Sequence, residues 1–333
     1  MKAWIVTEYG GPDVLDLREV EMPEPGDDEV RIRIHATTVS SGDWRIRGMN
    51  IPRGFKTVSR LMFGFSAPRS PILGSELSGR IDAVGRNVTG FAVGDAVFAY
   101  SDKDMGCHAE YKVLGADASI APIPPALSFG EAAAMSFGGC TALEFLRRGR
   151  IETGHRVLIN GASGAVGTAA VQLSRFFGAH VTGVCSSANA DLVRSLGADE
   201  VVDYRTTDVS QSGETYDIIM DTAATLPYAR AKHILAVDGT LLVVNGDAPS
   251  LLSAPFYSMS TKRRVIAGPV FGKPEDLEFL ADLARDGDYR PVVDSWFDFE
   301  ELPEAHRLVD SGRKRGNVVV RVMKSDPPPD KLD

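Results

Sequence analysis

A chain of 333 residues exceeds the roughly 250–300 at which single hydrophobic cores stop growing, so its length predicts two domains. With 44% hydrophobic and 24% charged residues it reads as folded and soluble, and no stretch approaches a membrane span. The net charge of −9 argues against nucleic acid or an anionic membrane as the main partner, although a local basic patch can still hold a phosphate. The three cysteines, Cys107, Cys140 and Cys185, include no close pair for a zinc knuckle or a disulfide framework. The N-terminus runs straight into a strand pattern without a signal-peptide head, and a reducing cytoplasm is the expected compartment.

From Met1 to about Pro124 short alternating runs predict a mostly β domain, at Ala3–Thr7, Val30–Ala36, Leu77–Val84, Ala96–Ala99 and Ala109–Val113. Residues Ile51–Pro71 depart from it, carrying Arg53, Lys56, Arg60 and Arg69 together with Val58, Leu61, Met62, Phe63 and Phe65. A loop of this length is expected to be either a cover for the substrate cleft or a surface excursion packed on its own apolar residues. The Pro-rich stretch at 122–125 marks a boundary, giving a first domain over 1–124, a second over 125–270 and a return to the first over 271–333.

In the second domain strands alternate with helices. Arg156–Asn160 reads as a strand, and Val166, Ala169, Ala170, Leu173 and Phe177 fall on one helical face that ends at Gly178. Strands follow at His180–Val184, Glu200–Asp203, Ile218–Asp221 and Thr240–Val244, with helices at Ala190–Leu196 and near Ala229–Leu235. Repeated βαβ units have right-handed crossovers, so the pattern predicts an α/β, doubly wound parallel sheet. The last part holds a helix at Leu277–Arg285 and a strand at Asn317–Met323, and Ser325–Asp333, with three consecutive prolines, is expected to be disordered.

Between the first of these strands and its helix lies Gly161-Ala162-Ser163-Gly164-Ala165-Val166-Gly167. That is where a dinucleotide fold turns under a pyrophosphate: glycines let the backbone approach, and the helix N-terminus offers free N–H groups to negative charge. Spaced glycines alone are a weak signal, and a plain strand–helix turn is the alternative; the consecutive βαβ units favour the nucleotide. The second strand ends in Cys185-Ser186-Ser187-Ala188-Asn189, with no Asp or Glu for ribose hydroxyls. Ser and Asn can hydrogen-bond a 2′-phosphate that a carboxylate would repel, so NADP(H) is the expected cofactor. A helix N-cap at Ser186–Asn189 is compatible with the same role. Tyr204-Arg205 can add a stacking ring and a cation on that side.

With its flanks the turn resembles the medium-chain dehydrogenase/reductase superfamily, in its quinone-oxidoreductase branch. The shared features are Lys2-Ala3 with Gly11-Pro12-Asp13-Val14-Leu15, Gly74-Ser75-Glu76-Leu77-Ser78-Gly79, Gly85, and Val93-Gly94-Asp95-Ala96-Val97. Further along are Ala109-Glu110-Tyr111, Gly139-Cys140-Thr141-Ala142, Gly197-Ala198-Asp199, Ala305-His306 and Gly316-Asn317-Val318-Val319. Each is modest; their order and spacing along nearly the whole chain are specific. The resemblance implies a GroES-like β-rich catalytic domain plus a Rossmann doubly wound parallel-sheet cofactor domain, and commonly a homodimer. It places Thr141 near the nicotinamide, Gly161–Val166 at the pyrophosphate, Ser186 and Asn189 at the 2′-phosphate, and Tyr204 beside the adenosine. Ala223, Asn245, Gly246, Val270, Phe271, Gly272 and Asn317 would line the remaining cofactor wall.

The same resemblance bears on metal. Ser40-Ser41-Gly42-Asp43 stands where zinc-dependent members have a cysteine and Ser75 where they have a histidine, while a tetrahedral zinc needs thiolate and imidazole donors. Cys107-His108 is read as a packing thiol beside a surface histidine, because neighbours along an extended chain point to opposite faces. No metal is expected. Without a Lewis acid, a conjugated acceptor is favoured, because charge developing on a quinone or an α,β-unsaturated carbonyl (enone) spreads over the conjugated system. The expected activity is NADPH-dependent reduction of such a small molecule. Ser40 is a candidate hydrogen-bond donor to substrate, and Asp43 is read either as a proton relay or as a helix cap. The competing readings are a zinc-free alcohol or aldehyde dehydrogenase and a nicotinamide-binding sensor or structural protein with little turnover.

Overall fold

The computed structural model describes residues 1–51, 54–246 and 262–323; Arg53 and the Ser325–Asp333 tail lie outside the described residues. The chain divides into two compact units, one of Met1–Ile51, Lys56–Phe137 and Phe271–Asp333, the other of Pro52–Phe55 and Gly138–Val270.

The first unit begins with a two-stranded antiparallel ribbon, β1 (Lys2–Val6) and β2 (Leu15–Glu19). The long β3 (Glu29–Val39) then pairs antiparallel with β4 (Glu76–Val84) and with β6 (Tyr111–Gly115), while β5 (Ala96–Tyr100) bridges β4 and β7 (Ile120–Pro122). Strand alternation sends Val30, Ile32 and Ile34 of β3 into one core with Leu77 and Ile81 of β4 and Val97 and Ala99 of β5. A strand expected at Ala109–Val113 starts two residues later, since Ala109 makes only an isolated bridge to Ala3.

Two helices interrupt the strands: α1 (Ser41–Gly48) and α2 (Lys56–Phe63), the latter inside the long basic and apolar segment. The short α3 (Phe129–Ala133) also belongs here, so the unit continues to Phe137 rather than ending at Pro124. The cause is packing: Ala133 and Ala134 are buried against Ala36 and Val319, and the Ser78 hydroxyl donates to the Phe129 carbonyl at 2.5 Å.

The second unit opens with most of α4 (Ser136–Gly149) and contains a six-stranded sheet with order β10-β9-β8-β11-β12-β13. These strands are β8 (Arg156–Asn160), β9 (His180–Cys185), β10 (Glu200–Asp203), β11 (Tyr216–Asp221), β12 (Leu235–Val243) and β13 (Arg264–Ala267), all parallel. Helix α5 (Ala165–Phe176) follows β8, α6 (Ala190–Ser195) follows β9, and α7 (Tyr228–Ala231) lies between β11 and β12. Leu158, Ile219 and Leu241, on three adjacent strands, are fully buried, each stabilising by about 1.5–3 kcal/mol. The chain winds outward from β8 to β10 and then crosses back to β11, which makes the carboxyl ends of β8 and β11 the switch point where such sheets bind ligands.

The remaining residues return to the first unit. Helix α8 (Pro274–Asp286) precedes β14 (Val293–Asp298), α9 (Leu302–Asp310) and β15 (Asn317–Arg321). Strand β15 pairs parallel with β14 and antiparallel with β3, completing the unit's seven-stranded sheet.

Candidate functional site

Strand β8 delivers Asn160 to the switch point, and the chain reverses at Gly161, whose φ of +85° favours a residue without a side chain. A Cβ on Gly167 would stand 2.1 Å from the Gly161 carbonyl oxygen and 2.8 Å from the Ala162 backbone, so only glycine lets α5 seat against the turn. Gly164 is the N-cap of α5 and supplies no side-chain cap, which leaves first-turn N–H groups pointing out of Ala165, Val166 and Gly167. A shallow backbone cradle at the positive end of a helix suits a pyrophosphate, and the residues present fit a dinucleotide.

A side-chain network stiffens the floor beneath this turn. Asn160 Nδ2 donates to Asp221 Oδ1 at 2.8 Å, and the Asp221 carboxylate accepts from the backbone N–H groups of Ala223 at 3.2 Å and Leu226 at 2.9 Å. The Thr222 hydroxyl donates to the Asn160 carbonyl at 2.8 Å, and Asn245 Nδ2 donates to the Thr222 carbonyl at 2.7 Å. Ala223, Asn245 and Gly246 thus lie on the loops after β11 and β12, beside the switch point. Asn160, Asp221 and Thr222 were not singled out from sequence. Their signal was position alone, as polar residues at the carboxyl ends of apolar strands.

At the end of β9, Asn189 Nδ2 donates to the Ser163 hydroxyl at 3.1 Å, joining the second βα loop to the glycine turn. Ser186 is 7% exposed, and neither it nor Asn189 makes a side-chain cap bond to the helical turns they precede. Tyr204 is 60% exposed with the Arg205 guanidinium 5.9 Å from its ring centroid. The sequence reading overlooked Asp203, which accepts from Arg205 N at 2.9 Å and Ser187 N at 3.0 Å. These backbone donors, led by that of Arg205, hold its carboxyl below the usual carboxylate range. Thr141 sits on α4, 8% exposed, and Val270 is half-buried at the end of the unit.

In the first unit, Ser40 and Asp43 form a capping box on α1. Asp43 Oδ2 accepts from Ser40 N and from the Ser40 hydroxyl, both at 2.7 Å, while Ser40 Oγ accepts from Gly42 N and Asp43 N. Asp43 Oδ1 accepts from Gly74 N at 3.0 Å, and the residue is fully buried. Of the two roles read for Asp43, these bonds are those of the cap. Gly272 lies against the Tyr100 ring and Phe271 is 54% exposed. Asn317 Nδ2 donates to the Val292 carbonyl at 3.1 Å, so its amide nitrogen serves the local backbone.

The expectation of a surface His108 is corrected. Cys107 and His108 do face opposite ways, but both sides are covered: Cys107 lies in the β3–β5 core, and His108 Nε2 meets the Thr38 carbonyl at 2.9 Å with its ring edge-on to buried His306. Burial pushes the Cys107 thiol up to about 12. Burial lowers the pKa of both imidazoles; for His306 the neighbouring His108 and Arg47 add to it. Among the described residues no group of His, Cys, Asp and Glu converges on a candidate metal position. Glu76, fully buried beside Ser75, accepts from Phe137 N at 2.6 Å and from the Thr38 hydroxyl, and burial raises it to about 7. Lys314, whose charge faces Glu76 and Asp294, is lowered by burial to about 8.

Residues 26–141 match the alcohol dehydrogenase GroES-like domain, and residues 196–320 match the zinc-binding dehydrogenase family. The chain is 32% identical to the chloroplastic quinone-oxidoreductase QR1 of Triphysaria versicolor, over 93% of this chain and 95% of that one. The chain belongs to the quinone-oxidoreductase branch of the medium-chain dehydrogenase/reductase superfamily. A human quinone oxidoreductase is likewise 32% identical, over 94% of each chain. The solved quinone oxidoreductase of Coxiella burnetii superposes with a TM-score of 0.86 at 26% identity, covering 97% of this chain and 99% of that one. As a member of this family the protein is an NAD(P)H-dependent oxidoreductase with a GroES-like domain and a Rossmann sheet. Among the described residues no group of three or more His, Cys, Asp and Glu stands where it could hold the metal that the second family's name implies. No helix among them is long and apolar enough to cross a membrane.

Proposed function

We propose that the protein reduces a quinone or an enone with NADPH, without zinc, as a cytoplasmic homodimer. The carrying observation is the pair Ser163–Asn189: a hydroxyl and an amide bridge the glycine turn and the end of β9, where a carboxylate would repel a 2′-phosphate. Ser186 offers a second hydroxyl there, and Tyr204 with Arg205 offers a ring and a cation to the adenosine. Asp203 brings a charged carboxylate to the same corner, bonded to the backbone of Ser187 and Arg205, and the reading requires the Arg205 cation beside it to offset that charge.

Bound nicotinamide would supply the hydride, and the chain's residues hold and orient it. Gly161–Val166 would cradle the pyrophosphate, Thr141 would stand at the nicotinamide end, and Ala223, Asn245, Gly246, Val270, Phe271, Gly272 and Asn317 would complete the wall. Ser40 and Asp43 fix the start of α1, and we assign them a positioning role, with the proton drawn from water. A carbonyl conjugated to an alkene or ring fits a site that has hydrogen bonds rather than a Lewis acid to offer developing negative charge. The test is NADPH oxidation by a panel of quinones and enones after exhaustive chelation. Turnover that survives the chelator is expected; none with any acceptor, or turnover that returns only with zinc, would overturn the proposal.

A further inference from the structure

Helix α2 presents its apolar side outward. Val58, Leu61 and Met62 recur at helical spacing and Phe65 continues the row, with exposures of 52%, 54%, 62% and 63%. The side that meets the unit is the one bearing Ser59, which is buried, and Phe63, which packs on the core around Leu73 and Val318. The helix is anchored to the unit at its end, where the Tyr9 hydroxyl donates to the Gly64 carbonyl at 2.8 Å. An ordinary surface helix has the opposite polarity, so this row has the form of a contact face.

Charge selects the occupant. The protein carries −9 overall, yet from Trp44 to Ser75 it has no Asp or Glu, and Lys56, Arg60 and Arg69 around this helix are all exposed. The charges of Arg60 and Arg69 both act on Tyr9, whose hydroxyl is bonded to the Gly64 carbonyl, so both cations lie in the neighbourhood of the helix end. A second copy meeting this face symmetrically would set these cations against themselves. An anionic bilayer accepts both parts of the pattern, apolar side chains among the acyl chains and cations among the headgroups. We infer that the outward face of α2 and its flanking cations form a docking surface for an anionic phospholipid bilayer, which brings the protein to where lipid-soluble acceptors reside. The net charge, read from sequence as arguing against an anionic membrane as the main partner, is an average over the chain, and that reading left room for a local basic patch such as this segment. A helix of eight residues makes this a weak, reversible attachment.

The experiment is flotation of the full-length protein with vesicles of phosphatidylcholine alone and of phosphatidylcholine mixed with phosphatidylglycerol, at low and high salt. The anionic vesicles should carry the protein and release it with salt, and neutral vesicles should leave it free. Lys56→Glu with Arg60→Glu should lower the partition coefficient by at least about tenfold. Leu61→Ser with Met62→Ser should lower it as well, with circular dichroism and thermal unfolding unchanged in both double variants. No binding to anionic vesicles, or equal binding to neutral ones, overturns the inference. So does a dimer, measured by sedimentation, that the Leu61→Ser, Met62→Ser variant dissociates. If that variant instead raises KM for a water-soluble quinone while vesicle binding persists, the face belongs to substrate and the inference fails.

Discussion

The turn after β8 and the cap at α1 are both short polar stretches at the start of a helix, and they use their polar groups in opposite directions. At Gly161–Gly167 the side chains are almost absent, and backbone N–H groups are left facing out for a ligand. At Ser40–Asp43 the side chains turn onto the helix's own N–H groups and onto Gly74, leaving nothing extended. A helix start that lacks a cap is available to an anion, and one that has a capping box is already satisfied. On the proposed reading, cofactor binding belongs to the first and helix stability to the second.

The comparison breaks most visibly at Gly167. Gly167→Val puts a side chain into the Gly161 carbonyl, and NADPH affinity, followed by fluorescence titration, should fall at least about a hundredfold. Unchanged affinity would show that the turn does not hold the cofactor. Next in size, Asp43→Ala removes acceptors from Ser40 and the buried Gly74 N–H, and denaturant unfolding should show a loss of about 2–3 kcal/mol. Asp43→Asn should leave the pH profile of kcat in place; a profile that loses a limb would return Asp43 to proton transfer.

A smaller effect comes from the buried imidazoles behind that cap. His108 and His306 have pKa values depressed in the folded protein, so both stay neutral there while the unfolded chain protonates them below about 6.5. The unfolded state then binds more protons, and stability is lost as pH falls below that value, by up to about 1.4 kcal/mol per pH unit for each ring. Glu76, raised to about 7, works the other way between its unfolded value and neutrality, so the sharp test is a difference. The acid limb of stability against pH should flatten in His306→Phe relative to the parent protein, and parallel limbs would contradict the assignment. Of similar or smaller size is Ser186→Asp, which should weaken NADPH about tenfold more than NADH through repulsion of the 2′-phosphate. An equal effect on both cofactors would remove Ser186 from that site.

What could be read from sequence follows the same division. The sheet was legible because apolar runs such as Arg156–Asn160 and Glu200–Asp203 are bounded by glycines and polar loops, and the turn was legible because its glycines are geometric necessities between a strand and a helix. The roles of polar side chains were not. Local spacing left Asp43 with two readings, and only the arrival of Gly74, thirty-one residues away in sequence, shows what its second oxygen does. His108 was misplaced on the surface because alternation gives the face of a residue but not whether that face is covered, and α9 supplies His306 from the far end of the chain. Asp203 was missed because the search for an acid stopped at the end of β9, while β10 brings its own carboxylate to the same corner through its pairing with Cys185. The outward apolar row of α2 was seen as composition, and its orientation is a tertiary fact.

The most direct test of the account is a pair of equilibrium titrations of the unaltered protein with NADPH and with NADH under the same salt and pH. Ser163, Asn189 and Ser186 at the end of β9, with Asp203 held on the backbone and beside Arg205, predict that NADPH binds at least about tenfold more tightly. Equal affinities, or a preference for NADH with Asp203 taking the ribose hydroxyls, would contradict it.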